Sequence, residues 1–384
     1  MQKLDEFLLN PEITYLNHGS FGASALPIFR SYRDWQLKIE SDSVQFFTKW
    51  GPKALEESRS AMGKFISCDK DDLFFVPNPT FAINTIAHNV QLKPGDEILT
   101  TDLEYGAMDR TWNYYCDKAG AKYVECPIGL PVNSKEEIIE AVSAKMNSNT
   151  KILFISEITS TTAMKLPVHE LCAIAKEKGI TTIVDGAHSP GHIPVDLQKL
   201  QADYYTGACH KWMLTPKGAS FLYVKKEFQK ELDPLVFSWG YNPEDNSPSQ
   251  FLDYHQLNGI RDYSAFLTIP AAVEYLNKID WQENAKQCNE VILEAYPKFC
   301  ALVGSEPLCP LSIDFLGHMC SIPISPKDPI QLKEDLFNEF KIEIPVMEHK
   351  GAVYLRISYH SYNDGADLEK LYEALKILKE RGAL

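Results

Sequence analysis

The sequence predicts an α/β fold in which helices cover a mostly parallel sheet. Through roughly the first two thirds of the chain, short apolar runs of strand type alternate with helical patterns, and the runs are bounded by Gly, Pro or Asp. This alternation is typical of strand–helix–strand units, whose strands pair in parallel. From about Leu267 the pattern changes to long amphipathic helices with short strands between them. That change predicts a smaller α+β domain at the carboxyl end.

A chain of 384 residues is long for one hydrophobic core, so we expect a large domain and a smaller one. We place an N-terminal segment near the active site at residues 1–20. A large ligand-binding domain is expected over residues 21–265, and a small C-terminal domain over residues 266–384.

Charge and cysteine content restrict the class of protein. With 38 basic and 52 acidic residues the net charge is −14, which argues against nucleic acid or an anionic membrane as a partner. The nine cysteines are scattered without a C-x-x-C pair, as in proteins of a reducing compartment. The first residues lack the pattern of a signal peptide, and no segment is apolar enough to span a membrane. We therefore expect a soluble, cytoplasmic protein.

The helical patterns follow one another along the chain with recognisable ends. A capping box at Ser134 and Glu137 predicts a helix that runs to about Met146. Gly120 and Gly179 are expected to end two others. The helix that Gly179 ends is expected near His169–Lys178, and the remaining predicted helices lie near Ile28–Ile39, Lys53–Ile66, Glu283–Val303, Pro329–Phe340 and Ala366–Arg381.

Residues 181–224 contain three strand-type runs, and polar residues stand where the first two runs end. Asp185 closes the first run, and Lys211 follows His210 just after the second. In an open α/β sheet, ligands bind at the carboxyl ends of the strands. A carboxylate at one strand end and an amine at another suit a pyridine aldehyde cofactor. The amine forms an imine with the aldehyde, and the carboxylate keeps the ring nitrogen protonated.

The same stretch allows a metal site. Asp185, His188 and His192 form a D-x-x-H-x-x-x-H pattern, and these residue types are ordinary ligands for zinc or iron. A metal-dependent hydrolase and a non-catalytic binding protein therefore stay open as alternatives from a different class.

Several motifs resemble the class V aminotransferase family of pyridoxal-phosphate (PLP) enzymes, which includes cysteine desulfurases and selenocysteine lyases. The resemblance rests on V-D-G-A-H, C-H-K-W and P-K-G-A, and motifs of this kind extend from Tyr15 to Asn363. The segments Y-L-N-H-G-S-F-G-A and N-G-I-R-D-Y-S-A look most like the isopenicillin N epimerase-like subgroup. The resemblance implies an aspartate-aminotransferase-like fold (PLP fold type I) with a seven-stranded sheet. It also implies PLP as cofactor and a homodimer with shared active sites.

The resemblance implies a role for each of a set of residues. Lys211 carries the cofactor, Asp185 pairs with its ring nitrogen, and Tyr105 and His188 lie on the two sides of the ring. Pro79 and Thr80 stand directly before a helical pattern, so Thr80 is the predicted N-cap, and the resemblance implies that Thr80 and the Phe81 amide hold the cofactor phosphate. The cofactor-binding set is Thr80, the Phe81 amide, Tyr105, Ser160, Asp185, His188, Thr206, His210, Lys211 and Arg261. The substrate-binding set is Asn17, His18 and Arg356, in which Arg356 binds the α-carboxylate through its guanidinium fork. No metal is expected.

Two positions depart from the family pattern. Ala208 stands where desulfurases have a phosphate-binding Ser, so Thr206 or His210 is expected to take more of the phosphate contact. Ile260 replaces a Thr that reaches the neighbouring subunit, which leaves that contact to the backbone or to Arg261.

The predicted reaction begins with removal of the α-proton of an α-amino acid by Lys211, with Asp185, His188 and Arg356 as the other catalytic residues. Reprotonation on the opposite face gives epimerisation, and His18 is the candidate for the second acid. Loss of a β-substituent instead gives a C–S lyase. The segment before Arg356, K-I-E-I-P-V-M-E-H-K-G-A-V-Y-L-R, contains no cysteine, which argues against the persulfide chemistry of a desulfurase.

Overall fold

The computed structural model describes residues 4–244 and 249–384. Twelve strands are found in this part of the chain, in three sheets. The strands are β1 (Thr14–Tyr15), β2 (Leu73–Val76), β3 (Glu97–Thr101), β4 (Lys122–Cys126), β5 (Thr150–Ser156), β6 (Thr181–Gly186), β7 (Tyr204–Ala208), β8 (Ser220–Val224), β9 (Met319–Ile324), β10 (Ile342–Glu343), β11 (Val346–His349) and β12 (Ala352–Ser358).

Some helices precede or follow the strands of the large sheet in the sequence, and others alternate with those strands. They are α1 (His18–Phe21), α2 (Leu26–Ser41), α3 (Ser43–Gln45), α4 (Gly51–Phe65), α5 (Pro79–Asn89), α6 (Gly106–Ala119), α7 (Lys135–Lys145), α8 (Val168–Glu177), α9 (Leu197–Leu200), α10 (Gln250–Gln256), α11 (Ser264–Leu267), α12 (Ile269–Lys278), α13 (Trp281–Val303), α14 (Pro329–Asn338) and α15 (Gly365–Glu380). Among the described residues, no helix combines the length and apolar character that crossing a bilayer requires.

The large sheet has seven strands in the order β2-β8-β7-β6-β5-β3-β4. Strands β3 to β7 pair in parallel with their neighbours, whereas β8 runs antiparallel to both β7 and β2. Because β5, β6 and β7 are adjacent and parallel, their carboxyl ends meet at one edge of the sheet. The predicted α/β fold with a mostly parallel seven-stranded sheet is confirmed.

Most predicted helix ends agree with the structure to within two residues. Gly120 and Gly179 both have positive φ angles, as expected for glycines that follow helices. At α7, Ser134 accepts from the Glu137 N–H, but the Glu137 side chain accepts from the Asn133 N–H instead of completing the box. The helix ends predicted from local sequence are thus largely correct, and the cap differs in one partner.

The C-terminal part contains the three-stranded sheet β11-β12-β9, against which α13 packs. The N-terminal segment joins this part, since β1 pairs in parallel with β10 and Asn17 forms a bridge with Ser358. Helix α12 packs against α2 and α4, although it follows residue 265. The domain boundaries therefore stay a prediction, and these contacts favour a small domain that begins near α13 and includes the N-terminal segment.

Candidate active site

The site lies at the carboxyl ends of β5, β6 and β7. Ser156 is the register partner of Asp185 on the neighbouring strand, and Asp185 is in turn opposite Thr206. Lys211 follows β7 by three residues. The topology thus brings together the carboxylate and the amine that the sequence placed at two strand ends.

Asp185 is a buried carboxylate near the end of β6. Its Oδ1 accepts a 2.9 Å hydrogen bond from the Ala187 N–H. Burial raises the pKa of Asp185, while that hydrogen bond and the charge of Lys211 act in the opposite direction. A second cation, such as a protonated ring nitrogen, would stabilise the ionised carboxylate further.

Lys211 and His188 are in direct contact. Lys211 Nζ lies 3.1 Å from His188 Nε2, and the opposite ring nitrogen of His188 accepts from Trp212 Nε1 at 3.4 Å. Burial, and then the charge of Arg356, lower the pKa of Lys211 to about 7, although Asp185 opposes this shift. Lys211 is therefore substantially unprotonated at neutral pH.

Arg356 lies on β12 and is buried, with its guanidinium directed to the same region. Its Nη1 donates to the Ser160 carbonyl at 2.6 Å, and its Nη2 donates to Ser20 Oγ at 2.7 Å. The Arg356 Nε is buried and has no hydrogen-bond partner among the described residues. Arg356 also contributes to the lowered pKa of both Lys211 and His188, so it shares their electrostatic environment. An arginine with unused donors beside a reactive amine suits an anionic ligand.

His18 forms hydrogen bonds with the Lys211 backbone and with Tyr362. Its side chain is fully buried (0 % exposed), and its Nε2 donates to the Lys211 carbonyl at 3.1 Å. Its Nδ1 accepts from the Tyr362 hydroxyl at 3.0 Å. Burial holds the pKa of His18 well below its usual value. Both ring nitrogens of His18 are thus engaged within the chain, and its roles in substrate binding and proton delivery stay predictions.

Asn17, the other N-terminal candidate, is also buried. Its Nδ2 donates to Glu343 Oε1 at 3.0 Å, which ties the N-terminal segment to β10. Its Oδ1 has no partner among the described residues. Asn17 thus keeps one free acceptor, and its substrate role stays a prediction.

At the start of α5 the structure corrects the predicted cap. The helix begins at Pro79 and its N-cap is Asn78, not Thr80. The Phe81 N–H, predicted to bind phosphate, donates to Asn78 Oδ1 at 2.9 Å. Asn and Thr are both good N-cap residues, and the Pro at the first helical position decides for Asn78. A phosphate would have to displace the Asn78 side chain to use that amide.

His210 and Thr206 differ in what they leave free. The Thr206 hydroxyl donates to the Phe221 carbonyl within the sheet at 2.8 Å. His210 Nδ1 donates to the Ala219 carbonyl at 3.0 Å, which leaves Nε2 as the second ring nitrogen. Burial lowers the pKa of His210 to about 4. His210 therefore keeps one free ring nitrogen whereas the Thr206 hydroxyl is used, but a hydrogen bond from Nε2 to a phosphate requires the protonated ring, which the negative charge of the phosphate would favour.

Ser220 is a further hydroxyl in this region. It is fully buried and is the cross-strand partner of Ala208, the position at which the expected Ser is missing. Its Oγ lies 3.5 Å from His210 Nδ1. The sequence pattern gave no signal for Ser220, because the pairing of β7 with β8 had to be known.

Tyr105 follows directly after a buried acid, Glu104. Tyr105 is 48 % exposed and immediately precedes α6, as a residue on the open face of a site would. Glu104 accepts from the Thr101 hydroxyl at 2.6 Å and from the Ser156 N–H and hydroxyl at 2.8 and 2.5 Å. Burial raises the pKa of Glu104 to about 8. Glu104 thus connects the ends of β3 and β5 beneath the candidate site, and sequence reasoning did not identify it.

Ser160 and Arg261 were predicted to contact the cofactor. The Ser160 carbonyl binds Arg356, and its hydroxyl lies 3.5 Å from the same guanidinium nitrogen. Arg261 lies on another surface, with its Nη1 donating to Asn258 Oδ1 and its guanidinium over the ring of Tyr263. Within this chain, Arg261 does not join the site around Lys211.

The metal alternative gains no support from the geometry. His192 Nδ1 donates to the His188 carbonyl, and His192 Nε2 accepts from the His318 N–H. Both nitrogens are therefore occupied. Across residues 4–244 and 249–384, no three His, Cys, Asp or Glu side chains come together in a way that could hold a metal ion.

The arrangement fits a PLP cofactor and defines the class of protein. A reactive lysine amine, a buried carboxylate at a strand end and a buried arginine with an unused donor converge at one sheet edge. These groups provide an anchor for an aldehyde, a partner for a pyridine nitrogen and a partner for a carboxylate. The fold and site therefore define an α/β enzyme of the PLP-dependent type.

Comparison with known proteins agrees with this class. The Aminotransferase class-V family model matches residues 30–371. The chain is 31% identical over 390 residues to isopenicillin N epimerase of Amycolatopsis lactamdurans, covering 98% of each protein. It is 28% identical over 404 residues to a probable chloroplastic L-cysteine desulfhydrase of Arabidopsis thaliana, covering 97% of this chain and 84% of that protein.

A solved structure shows the same fold. It is a lysine-to-alanine variant of C-DES with glycine covalently linked to the PLP cofactor, and it matches with a TM-score of 0.83 at 18% identity, covering 98% and 99% of the two chains. The chain belongs to the class V aminotransferase family, and its cofactor is PLP.

Proposed function

We propose that this PLP enzyme removes the α-proton of an α-amino acid, after which a proton is delivered to the opposite face, as in an isopenicillin N epimerase-like enzyme. The observation that carries the proposal is the shared buried environment of Lys211 and Arg356, in which burial and then the arginine charge lower the pKa of the lysine. A base and a carboxylate-binding group at one site are what deprotonation of an amino acid requires.

Lys211 supplies the base. Because its pKa is lowered to about 7, the amine has a free lone pair in a substantial fraction of molecules at neutral pH. An ordinary lysine would be almost fully protonated there. Lys211 can therefore accept a proton and release it again without a large free-energy cost.

Arg356 orients the substrate. Its contacts to Ser160 and Ser20 fix the guanidinium plane, and its buried Nε supports binding of a carboxylate. A fork of parallel N–H donors matches the two oxygens of a carboxylate. This contact would hold the Cα–H bond towards Lys211 and would select α-amino acids over simple amines.

When bound, PLP supplies an electron-withdrawing ring that acidifies the Cα–H bond of an attached amino acid. Lys211, Asp185, His188 and Tyr105 would hold its ring, and His210 with Thr80 would contact its phosphate. The buried Asp185 carboxylate would stabilise a proton on the ring nitrogen.

A C–S lyase is the second candidate, and the position of His18 favours it. An epimerase needs an acid on the face that Lys211 does not reach. His18 donates to the Lys211 carbonyl behind the amine and is fully buried, so it is a poor source of that proton. A lyase needs only one base, because departure of the β-substituent completes the reaction. The L-cysteine desulfhydrase relative belongs to this chemical class by its name.

Amino acids in deuterated water would decide between the two candidates. An epimerase incorporates deuterium at Cα and produces the opposite enantiomer. A lyase converts cysteine to pyruvate, ammonia and sulfide, or cystine to pyruvate, ammonia and cysteine persulfide. A protein that binds PLP but gives neither exchange nor elimination with any tested amino acid would overturn both.

We also propose that the enzyme is a homodimer with shared active sites. An exposed apolar surface includes Trp239 (79 % exposed) and Ile260 (77 % exposed), together with Val236, Phe237, Tyr241 and Leu257. A patch of this kind is typical of an interface. Arg261 adjoins Ile260 and would reach the partner's site. Sedimentation equilibrium tests this, and a monomer that is fully active when diluted would contradict it.

The proposed compartment is the cytoplasm. All nine cysteines are free thiols, and eight of them are buried. Thiols in this state suit a reducing environment. Fractionation of cells that express the tagged protein would test the proposal, and recovery with a membrane or an organelle would contradict it.

A further inference from the structure

We propose that Trp212 is a positioning residue that fixes the proton of His188 on Nε2 and so keeps the Lys211 amine in its unprotonated form. The inference deepens the proposed function, because it rests on Lys211 acting as the reactive amine. Trp212 directly follows Lys211 in the chain, and the sequence motifs assigned it no role.

Trp212 donates a hydrogen bond to His188. Trp212 Nε1 lies 3.4 Å from His188 Nδ1, and both side chains are buried. An indole N–H can only donate, since it has no acceptor lone pair. His188 Nδ1 must therefore carry the lone pair that accepts this hydrogen bond.

The other ring nitrogen of His188, Nε2, carries the proton. Burial, which is the largest cause, and the charge of Arg356 hold the pKa of His188 well below its usual value, so the ring is neutral. A neutral imidazole has one N–H, and with Nδ1 unprotonated that N–H is on Nε2.

His188 Nε2 lies 3.1 Å from Lys211 Nζ, within hydrogen-bond distance. An Nε2–H can form a hydrogen bond with Nζ only when the amine has a lone pair to accept it. An ammonium group has three N–H bonds and no lone pair, so it would face the Nε2–H as a second donor. The hydrogen-bond chain from Trp212 through His188 is thus satisfied only with a neutral Lys211.

The indole is held in place by imidazole rings. His192 stacks on Trp212 with ring centroids 4.0 Å apart and planes at 26°, and His318 packs edge-on at 4.5 Å. His18 lies against the indole at 4.7 Å. His192 has its own tautomer fixed, because Nδ1 donates to the His188 carbonyl and Nε2 accepts from the His318 N–H. These contacts restrict rotation of the Trp212 ring away from His188.

Of the charged groups around Lys211, one favours the unprotonated amine and one favours the protonated amine. Arg356 on β12 disfavours an additional positive charge, and Asp185 on β6 favours it. His188 and His210 are the other titratable side chains near the amine, and both are neutral because burial lowers the pKa of each. The Trp212–His188 pair differs from these groups, because it affects the protonation of Lys211 through the position of the His188 proton and not through a net charge.

The test measures the protonation of Lys211 directly in the full-length apoprotein. Trace acetic anhydride acylates only unprotonated amines, so the yield on the Lys211 peptide across a pH series gives the pKa of that amine. The wild type is expected to show a midpoint near pH 7, in line with the lowered pKa of about 7. Trp212→Phe removes the indole N–H and allows His188 to accept from an ammonium. Its midpoint should rise by roughly one pH unit, as expected for the loss of one hydrogen-bond preference.

Trp112→Phe is the matched control. Trp112 is also fully buried, but its Nε1 has no hydrogen-bond partner among the described residues. The same change in ring size there should leave the Lys211 midpoint at its wild-type value. An unchanged midpoint in Trp212→Phe would overturn the proposal and leave Trp212 a packing residue.

A second variant covers the case in which Trp212→Phe does not fold. Replacing Trp212 by 3-benzothienylalanine keeps the fused rings and exchanges the N–H for sulfur, so packing is preserved and only the donor is lost. The upward shift should persist in that protein, and its absence would overturn the proposal. Because the labelling uses no PLP, its result is separate from any failure of the proposed activity.

Discussion

Arg356 Nη2 donates a 2.7 Å hydrogen bond to Ser20 Oγ, and the two residues are 336 positions apart in the chain. The contact brings the N-terminal segment into the wall of the pocket beside Lys211. Since Ser160 supplies the other oxygen partners of Arg356, the guanidinium is held from two directions. Binding of a substrate carboxylate would then depend on a residue near the start of the chain.

Ser20→Ala should raise KM for an amino-acid substrate about 5- to 10-fold, which corresponds to roughly one hydrogen bond to a charged group. The expected change in kcat is small, because Lys211 is untouched. Ser24→Ala is the control, since its hydroxyl donates to the Leu214 carbonyl in the same segment but not to Arg356. Equal KM effects in both variants would mean that the segment, and not the Ser20 contact, is responsible.

Arg356→Lys should raise KM by about 100-fold, because a point-charge ammonium cannot reproduce the two-pronged contact of a guanidinium. The absorbance of bound PLP should stay as in the wild type, since the lysine that carries it is unchanged. Arg381→Lys tests the exchange at a surface ion pair with Glu339, where KM should not change. Wild-type KM in Arg356→Lys would exclude the proposed carboxylate contact.

Lys211→Ala should lower kcat at least about 1000-fold, in the range expected when a positioned acid–base group is lost. In the wild type, borohydride should link PLP permanently to the peptide that contains Lys211, and this adduct should be absent from the variant. Lys217→Ala removes a nearby lysine that donates to the Gly22 carbonyl, and it should retain the adduct. An adduct on Lys217 in the wild type would reverse the assignment.

Gly22→Ala should destabilise the protein strongly. Gly22 has φ 67° and ψ 169°, a region that is essentially restricted to glycine, with a cost of about 1–3 kcal/mol for other residues. An added Cβ would also lie 2.2 Å from the His210 carbonyl oxygen. Gly95→Ala separates the backbone cost from the steric clash, since Gly95 has φ 90° but open space around its Cβ position. Denaturant unfolding should give the larger loss for Gly22→Ala.

Glu104→Gln should change how stability depends on pH. Burial raises the pKa of Glu104 from 4.5 to about 8, so the folded state binds a proton more tightly than the unfolded state. The associated stability is complete below pH 4.5 and is lost as the pH rises to about 8. Gln has no such proton, so its Tm relative to the wild type should increase between pH 5 and pH 8. Parallel Tm profiles would show that Glu104 is ionised in both states.

The sequence was most informative where chemistry follows local pattern. Lys211 and Asp185 stand at the ends of strand-type runs, and parallel pairing of β6 and β7 was enough to bring them together. Arg356 needed the family resemblance, because a single Arg in a strand looks like a surface charge. The cap at Asn78 was missed because both Asn78 and Thr80 suit that position, and only the backbone distinguishes them.

Contacts between distant segments could not be predicted. His18 lies near Ser20 in the sequence, yet it faces Tyr362 and the Lys211 backbone, whereas Ser20 reaches Arg356. A short irregular segment has no periodicity that tells which side chain turns inwards. Trp212 and Glu104 act through hydrogen bonds to His188 and Ser156, and such partners are set by the packing of whole strands.

The pairing of β1 with β10 has a consequence for how the enzyme matures during translation. Thr14 leaves the ribosome more than 300 residues before its partner Ile342 is made. Until then the N-terminal segment lacks its strand partner, and the contact between Ser20 and Arg356 cannot form. Closing so long a loop is entropically costly and slow. We therefore expect the nascent large domain to fold first, and a pocket competent for substrate to form only once β12, which carries Arg356, has been synthesised.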